Sequence, residues 1–236
     1  MYVPLRFVSE ALGASVEWDD VANIIRITKT PSSVQNNKNQ ENKKVYALYH
    51  PLRQTREHDG SMGMWSAYHK SAASGTGQPY ANYNADLVDE NGVHQVAAVD
   101  GEPVVGMQSE LDSDYLEYKV LLAKLANIDG FMVDFGFVEY ASTAMLRVFM
   151  EQAEKYDWEI GVDWTDSIIM NQSWIANYYS EIDTAEKRFE YAKTTIMQWL
   201  LEEIYAKPFG ATLKGHPVIF CFGGGFSTQQ VSELLH

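Results

Sequence analysis

The chain has 236 residues, enough for one large domain or for one domain accompanied by a small one. Its 32 acidic and 18 basic residues give a formal net charge of -14, which argues against nucleic acid or an anionic membrane as a partner, because phosphates would be repelled. The same charge suits a neutral or cationic ligand, and it is equally consistent with an acidic protein whose charge serves only solubility.

A single cysteine, Cys221, excludes an internal disulfide framework and a thiolate metal site. Its apolar neighbours predict a small buried side chain. No stretch is long and apolar enough to span a membrane. Met1 runs directly into Tyr2-Val3-Pro4 without a signal peptide, so we expect any secretion signal to lie upstream.

Residues 1–29 have the pattern of a small α+β unit. Residues 5–12 have helical spacing and Gly13 is suited to end that helix, while 15–18 and 23–28 alternate as strands. About 30 residues cannot bury a core of their own, so we expect this stub to be the end of a longer domain. The polar run that follows, residues 30–44, is predicted to be a flexible linker.

Residues 45–236 alternate short apolar strands with amphipathic helices. Continuously apolar strands in such an alternation predict a parallel sheet covered on both faces, in either a barrel or a doubly wound sheet. Four strands with their helices would form about the first half of a (β/α)8 TIM-type barrel. The predicted strands are 45–49, 131–133, 160–162 and 218–222, and the predicted helices are 113–126, 145–156, 183–204 and 227–235.

In a barrel, functional side chains gather at the C-terminal ends of the strands. Here those ends carry carboxylates beside aromatic rings, a combination that suits sugars, since carboxylates accept hydroxyl hydrogen bonds or transfer protons. We predict Asp134 and Asp163 as catalytic residues. The predicted substrate-binding residues are Tyr49, His50, Trp65, Glu139, Trp164 and Asp166, of which His50 and Trp65 lie in the long connection 50–112.

Each of these residues also has a structural interpretation. A strand-end aspartate often caps a helix, Trp164 could pack in the core, and His50 could be a structural histidine. Residues 223–225 are glycines without a following Lys-Ser/Thr, so they predict a flexible loop over the barrel mouth instead of a phosphate loop. The histidines of the long connection lack metal-ligand spacing, and no metal or cofactor is predicted.

Residues 3–19, from Val3-Pro4-Leu5 to Val16-Glu17-Trp18-Asp19, resemble the end of the copper amine oxidase-like N-terminal domain. The resemblance implies that residues 1–29 are part of a stalk of the kind found on surface proteins of Gram-positive bacteria. It therefore implies an extracellular or cell-surface location and association with the cell wall. Copper is not implied, because the segment has no histidine cluster.

The main segment resembles glycoside hydrolase family 71/99-like proteins. The resemblance rests on Val45-Tyr46-Ala47-Leu48-Tyr49-His50-Pro51, on residues 105–112 and 207–223, and most strongly on residues 116–134. It implies a barrel that cleaves α-linked polysaccharide, such as α-1,3-glucan or α-mannan, by carboxylate acid/base catalysis. It also places Asp134 and Asp163 in the sugar cleft and Tyr49 near the first subsite.

Two departures bear on activity. Phe135-Gly136 stand where the family often has paired aromatic residues, and the family-99 branch carries its catalytic glutamates on later strands than this chain reaches. We therefore expect a fragment of a secreted hydrolase that is inactive by itself, and poorly soluble or oligomeric because its last strand is unpaired. The alternative is a non-catalytic surface glycan-binding protein. A nucleotide-binding domain is disfavoured, because Tyr49-His50-Pro51 is not a glycine-rich phosphate turn.

Overall fold

A computed structural model of the protein describes residues 14–19, 24–29, 43–63, 65, 85, 87–88, 90–92 and 105–234. In chain order its elements are β1 (Ala14–Asp19), β2 (Ile24–Lys29), β3 (Tyr46–Tyr49), α1 (Arg56–Asp59), α2 (Ser113–Leu125), β4 (Gly130–Phe135), α3 (Ala141–Tyr156), β5 (Glu159–Thr165), α4 (Asp166–Met170), α5 (Gln172–Ile175), α6 (Ala185–Tyr191), a π-helical turn (Ala192–Ile196), α7 (Met197–Leu200), a second π-helical turn (Leu201–Tyr205), β6 (Thr212–Leu213), β7 (His216–Pro217), β8 (Ile219–Phe222) and α8 (Thr228–Leu234).

The N-terminal unit contains an antiparallel hairpin. β1 and β2 pair from Ala14 opposite Lys29 to Asp19 opposite Ile24, which confirms the two predicted strands. The predicted helix at 5–12 and most of the predicted linker lie outside the described residues. Lys44, assigned to the linker, is bound to the main segment, because its Nζ lies 2.5 Å from Glu159 Oε1.

Four parallel strands form the central sheet in the order β3-β4-β5-β8, which is also their order along the chain. The predicted parallel sheet is thus confirmed. Within the described ranges, no further strand pairs with the outer side of β3 or β8. A small hairpin of β6 and β7 precedes β8, and its turn holds Lys214 and Gly215 at φ values of 52° and 80°.

The described helices cover one face of the sheet, while consecutive residues of the central strands β4 and β5 are buried on both faces, as expected. Leu146 and Phe149 of α3 pack with Val133 and Val162 in one buried core. On the opposite face Leu48 is 53% exposed. The reason is topological: when strands follow chain order, right-handed crossovers all return over the same face, whereas a doubly wound sheet reverses its order.

Local side-chain contacts set the helix boundaries. Asp112 caps α2, its Oδ1 accepting from the backbone N–H groups of Asp114 and Tyr115. α3 begins at Ala141, four residues before the predicted start, because its first turn buries the polar Thr143, whose Oγ1 donates to Phe137 O. The helix predicted from 183 is capped by Thr184.

Cys221 is exposed, which corrects the prediction of a buried side chain. The apolar run around it does form a strand, but β8 is the last strand of the described sheet, so its side chains have cover from one neighbouring strand only. In the described part of the chain, no helix has the length and apolar character needed to cross a membrane.

Removal of the Leu146 side chain tests the one-sided core. Leu146→Ala should lower the free energy of unfolding by about 2–5 kcal/mol, because the site is fully buried between α3 and the sheet. Leu121→Ala is the matched control on α2, where the side chain is 44% exposed, and it should cost less than about 1 kcal/mol. Urea unfolding followed by circular dichroism measures both, and equal losses would contradict this core assignment.

Candidate functional site at the ends of the central strands

Two aspartates lie side by side near the C-terminal ends of β4 and β5. Asp134 is the register partner of Asp163, so their side chains project from the same face of the sheet. Tyr49 is the register partner of Val133, so His50, which follows Tyr49, lies beside Asp134, which follows Val133. His50, Asp134 and Asp163 thus form a row across three strands, called the carboxylate row below. The face is the one opposite the described helices. The predicted parallel arrangement therefore does bring these three residues together.

The imidazole of His50 lies between the two carboxylates. Its Nε2 is 3.5 Å from Asp163 Oδ2, and its Nδ1 is 3.9 Å from Asp134 Oδ1. The His50 side chain is 57% exposed whereas that of Asp163 is 1% exposed. The histidine therefore stands between the buried carboxylate and solvent.

The two carboxylates differ in their hydrogen bonding. Asp134 Oδ1 accepts a hydrogen bond of 2.7 Å from Thr165 Oγ1. Both oxygens of Asp163 are buried and have no hydrogen-bond partner. Because a buried carboxylate is costly to leave unsatisfied, Asp163 has unused capacity to accept hydrogen bonds from a ligand or to hold a proton.

Burial raises the pKa of both groups. For Asp134 the hydrogen bond from Thr165, and then the nearby His50, act in the opposite direction. For Asp163 His50 opposes the rise, while the neighbouring charge of Asp134 adds to it. The two carboxyls therefore titrate as an interacting pair in which proton binding is favoured, and Thr165 stabilises the ionised form of Asp134 only.

Met132 lies on the same face of the sheet as Asp134, two residues before it in β4. Its side chain is buried and lies across Gly161, where an added Cβ would come within 2.5 Å of the Met132 sulfur. A side chain at position 161 would therefore displace the flexible thioether end of Met132. Methionine thus forms an apolar floor beside the carboxylates.

Asp166 binds the backbone of the glycine segment that follows β8. Its two carboxylate oxygens accept hydrogen bonds of 2.9 Å from the N–H groups of Gly225 and Phe226. The glycine segment, predicted as a flexible loop, is therefore tied at this end to the start of α4. Asp166 is buried and its described contacts are structural, while a role in substrate binding stays a prediction.

Tyr49 precedes His50 and Trp164 follows Asp163. Because side chains alternate between the two faces of a strand, both point away from the carboxylates. The Tyr49 hydroxyl donates to Glu110 Oε2 at 2.5 Å, and its ring packs on Phe149. Trp164 is buried, and its indole N–H donates to Gly136 O at 3.0 Å. Both side chains belong to the helix-covered face, and the structure does not bring them to the pair.

Trp65 and Glu139 also lie apart from the row. Trp65 is buried in a separate small cluster with Met62 and Ala85, and its indole N–H donates to Gln108 O. Glu139 is exposed in the loop after β4 and accepts a hydrogen bond of 3.1 Å from the Tyr191 hydroxyl. Sugar contact by Tyr49, Trp65, Glu139 and Trp164 stays a prediction.

Three residues of this face were missed by the sequence analysis. Phe220 is the register partner of Asp163 and Phe222 is that of Thr165, so the sheet places both rings beside the carboxylate row. The signal was their spacing of two within a predicted strand, which places both rings on one face. Thr165 is likewise two residues beyond Asp163. Within the described ranges, no group of three or more His, Cys, Asp or Glu residues could hold a metal ion.

Comparison with protein families identifies the N-terminal segment. The model of the copper amine oxidase N-terminal domain matches residues 1–51, which extends beyond the predicted boundary at 29 and into β3. The predicted resemblance is thereby confirmed for this segment. None of the curated proteins compared with the chain matches it.

Comparison with solved structures identifies the fold of the main segment. The GH99 endo-alpha-mannosidase from Bacteroides thetaiotaomicron is similar with a TM-score of 0.52 at 14% identity, over 76% of this chain and 45% of that chain. Its complex with bis-tris-propane gives a TM-score of 0.48 at 14% identity, over 75% and 41%. The chain spans less than half the length of these structures. Behind a segment that matches the model of the copper amine oxidase N-terminal domain, the chain thus has a mixed α/β fold similar to that of a GH99 endo-alpha-mannosidase.

Proposed function

We propose that this chain is part of a secreted or cell-surface glycoside hydrolase that acts on α-linked polysaccharide of the α-glucan or α-mannan type. The observation that carries the proposal is the Asp134–Asp163 pair, in which both carboxylate oxygens of Asp163 are buried without a hydrogen-bond partner. Fold similarity to a solved endo-alpha-mannosidase supports it. The net charge of -14 favours an uncharged ligand over a phosphate-rich one.

In this proposal the central sheet is the first half of a (β/α)8 barrel. Strands in chain order with helices on one face are what successive β/α units produce, because the other face becomes the inside when the barrel closes. The carboxylate row then stands at the C-terminal ends of the strands, where barrel enzymes carry their active sites. The remaining strands would be supplied by polypeptide outside residues 45–236.

The pair suits proton transfer at a glycosidic bond. Asp163 in its protonated form would donate a proton to the glycosidic oxygen as the bond from that oxygen to the anomeric carbon breaks. Asp134, whose ionised form is stabilised by the hydrogen bond from Thr165, would in that form stabilise the positive charge that develops on the sugar or take a proton from the attacking water. Further carboxylates from the rest of the barrel would act with this pair.

The matched N-terminal domain suggests how the enzyme is held in place. Residues 1–51 match a domain that, by the resemblance of residues 3–19, acts as a stalk on Gram-positive surface proteins. We propose the same role here, with association with the cell wall and an extracellular or cell-surface location. The alternative function, a glycan-binding surface protein without turnover, uses the same stalk and sheet, and hydrolysis distinguishes it from the enzyme.

Glycan binding tests the carboxylate pair directly. Titration of the 236-residue chain with α-mannan and α-1,3-glucan oligosaccharides should show binding, and Asp134→Asn or Asp163→Asn should weaken it about tenfold or more, because each removes a charged hydrogen-bond acceptor. Asp157→Asn is the control: it removes the same charge from an exposed helix end whose φ of 47° asparagine tolerates. Equal losses in all three variants, or no binding by the parent chain, would refute the proposed site.

Release of reducing ends from the same two polysaccharides, measured with a longer chain that carries the remaining strands of the proposed barrel, separates the enzyme from its alternative. Hydrolysis that disappears in the Asp134→Asn and Asp163→Asn variants but persists in Asp157→Asn assigns the pair to catalysis. Binding without hydrolysis by that longer chain favours the glycan-binding protein.

The raised pKa values predict an unusual pH dependence of stability. Because the folded-state pKa of each carboxyl lies above its ordinary 3.8, the folded protein holds protons that the unfolded chain has released, and stability falls as pH rises above 3.8. Asp163→Asn removes one such group. Its free energy of unfolding should therefore rise relative to that of the parent as the pH rises above 3.8. Urea titrations at several pH values measure this, and a constant difference would contradict it.

A further inference from the structure

We propose that Glu110 is a positioning residue of the site: it binds the chain on both sides of His50 and thereby fixes the imidazole between the two carboxylates of the row. Glu110 lies in the loop before α2 and acts through the residues that it binds. The inference rests on the proposed function for the meaning of the site, and it adds a residue on which the geometry of the site depends.

The carboxylates do not hold the imidazole of His50 by hydrogen bonds. Its nitrogens lie 3.5 Å from Asp163 Oδ2 and 3.9 Å from Asp134 Oδ1, both beyond ordinary hydrogen-bond length. Both oxygens of Asp163 accordingly lack a hydrogen-bond partner. The His50 side chain is also 57% exposed, so close packing does not fix it either. The position of the ring therefore depends on the backbone that carries it.

Glu110 binds the residues on either side of this piece of backbone. On the N-terminal side its Oε2 accepts a hydrogen bond of 2.5 Å from the Tyr49 hydroxyl. On the C-terminal side its backbone N–H donates to Arg53 O at 2.9 Å. The Tyr49 ring packs on Phe149, with 4.7 Å between the ring centroids, so the tyrosine is held at its ring and at its hydroxyl. One residue thus anchors both ends of the segment 50–52.

The segment that Glu110 anchors has a strained backbone. Leu52 has a φ of 105°, a conformation that a residue with a side chain rarely adopts. Its N–H donates to the Met145 sulfur, and Arg53 pairs with Gly63 in an isolated bridge. An added Cβ on Gly63 would lie 2.5 Å from Leu52 O, so the bridge is closed tightly against the segment. Such a conformation persists only where several contacts hold it, and those made by Glu110 are among them.

The charges around Glu110 strengthen its contact with Tyr49. Glu110 is 1% exposed, and burial raises the pKa of its carboxyl, while the hydrogen bond from Tyr49 and the charges of Lys119 and Arg53 act in the opposite direction. Lys119 Nζ lies 5.5 Å from the centre of the Tyr49 ring. Because an ionised acceptor forms a stronger hydrogen bond than a neutral one, the two cations also favour the bond that fixes the end of β3.

Nuclear magnetic resonance of the His50 ring tests its position without a ligand. His50→Gln identifies the ring signals, and Asp163→Asn should shift them in the parent chain because it removes the neighbouring charge. That shift should fall by about half or more in Glu110→Ala, because the imidazole is then no longer held close to Asp163. Tyr49→Phe should have the same effect, and it keeps the packed ring and removes only the hydroxyl.

Two further variants separate positioning from a general loss of structure. Glu110→Gln keeps an acceptor for the Tyr49 hydroxyl and should restore most of the shift that Glu110→Ala loses. Tyr156→Phe is the matched control, since it removes another tyrosine hydroxyl that donates to a glutamate, Glu117, between α2 and α3, and it should leave the shift unchanged. Calorimetric titration with α-mannan and α-1,3-glucan oligosaccharides should show affinity weakened about threefold or more in Glu110→Ala and Tyr49→Phe.

The outcomes distinguish this role from the proposed function. A shift of equal size in the parent, Tyr49→Phe and Glu110→Ala overturns the positioning role and leaves the proposed function to its own test. A parent in which Asp163→Asn does not move the His50 signals overturns it as well. Absence of glycan binding by the parent, with shifts that shrink as expected, overturns the proposed function alone. If Glu110→Ala does not fold, Tyr49→Phe decides by itself.

Discussion

The register between β4 and β5 is the constraint on which the rest of the molecule depends. Because paired residues of parallel strands share a face, the pairing of Asp134 with Asp163 fixes two carboxylates side by side. It also directs Val133 and Val162 into the core under the helices. A shift of β5 by one residue would turn Asp163 into the apolar layer and Val162 out of it. Fold stability and the site therefore impose the same register.

The parallel sheet and its strand ends were predictable from the sequence, because apolar runs separated by amphipathic helices are compatible with few other folds. The aspartates stand at the ends of those runs and His50 follows the first of them, so their proximity at one edge of the sheet was predictable as well. The sequence did not reveal which face would be covered. That depends on strand order, and an apolar run such as 218–222 has the same pattern whether one face or both are buried.

Residue roles were harder to predict than residue positions. Tyr49 and His50 are consecutive, as are Asp163 and Trp164, so a strand-end motif contains side chains for both faces. Alternation places His50 and Asp163 in the row and sends their aromatic neighbours to the core. The same alternation, together with the strand order, places Phe220 and Phe222 of β8 on the face of the row. Asp166 could not be assigned from sequence, since its partners are backbone groups 59 and 60 residues away.

The side chain of Met132 on β4 packs directly against Gly161 on the neighbouring strand β5. A side chain gained at position 161 would displace the thioether end of Met132, because that flexible end is what lies against the glycine. The room beside the Asp134–Asp163 pair is thus set in part by a position that contributes no side chain of its own.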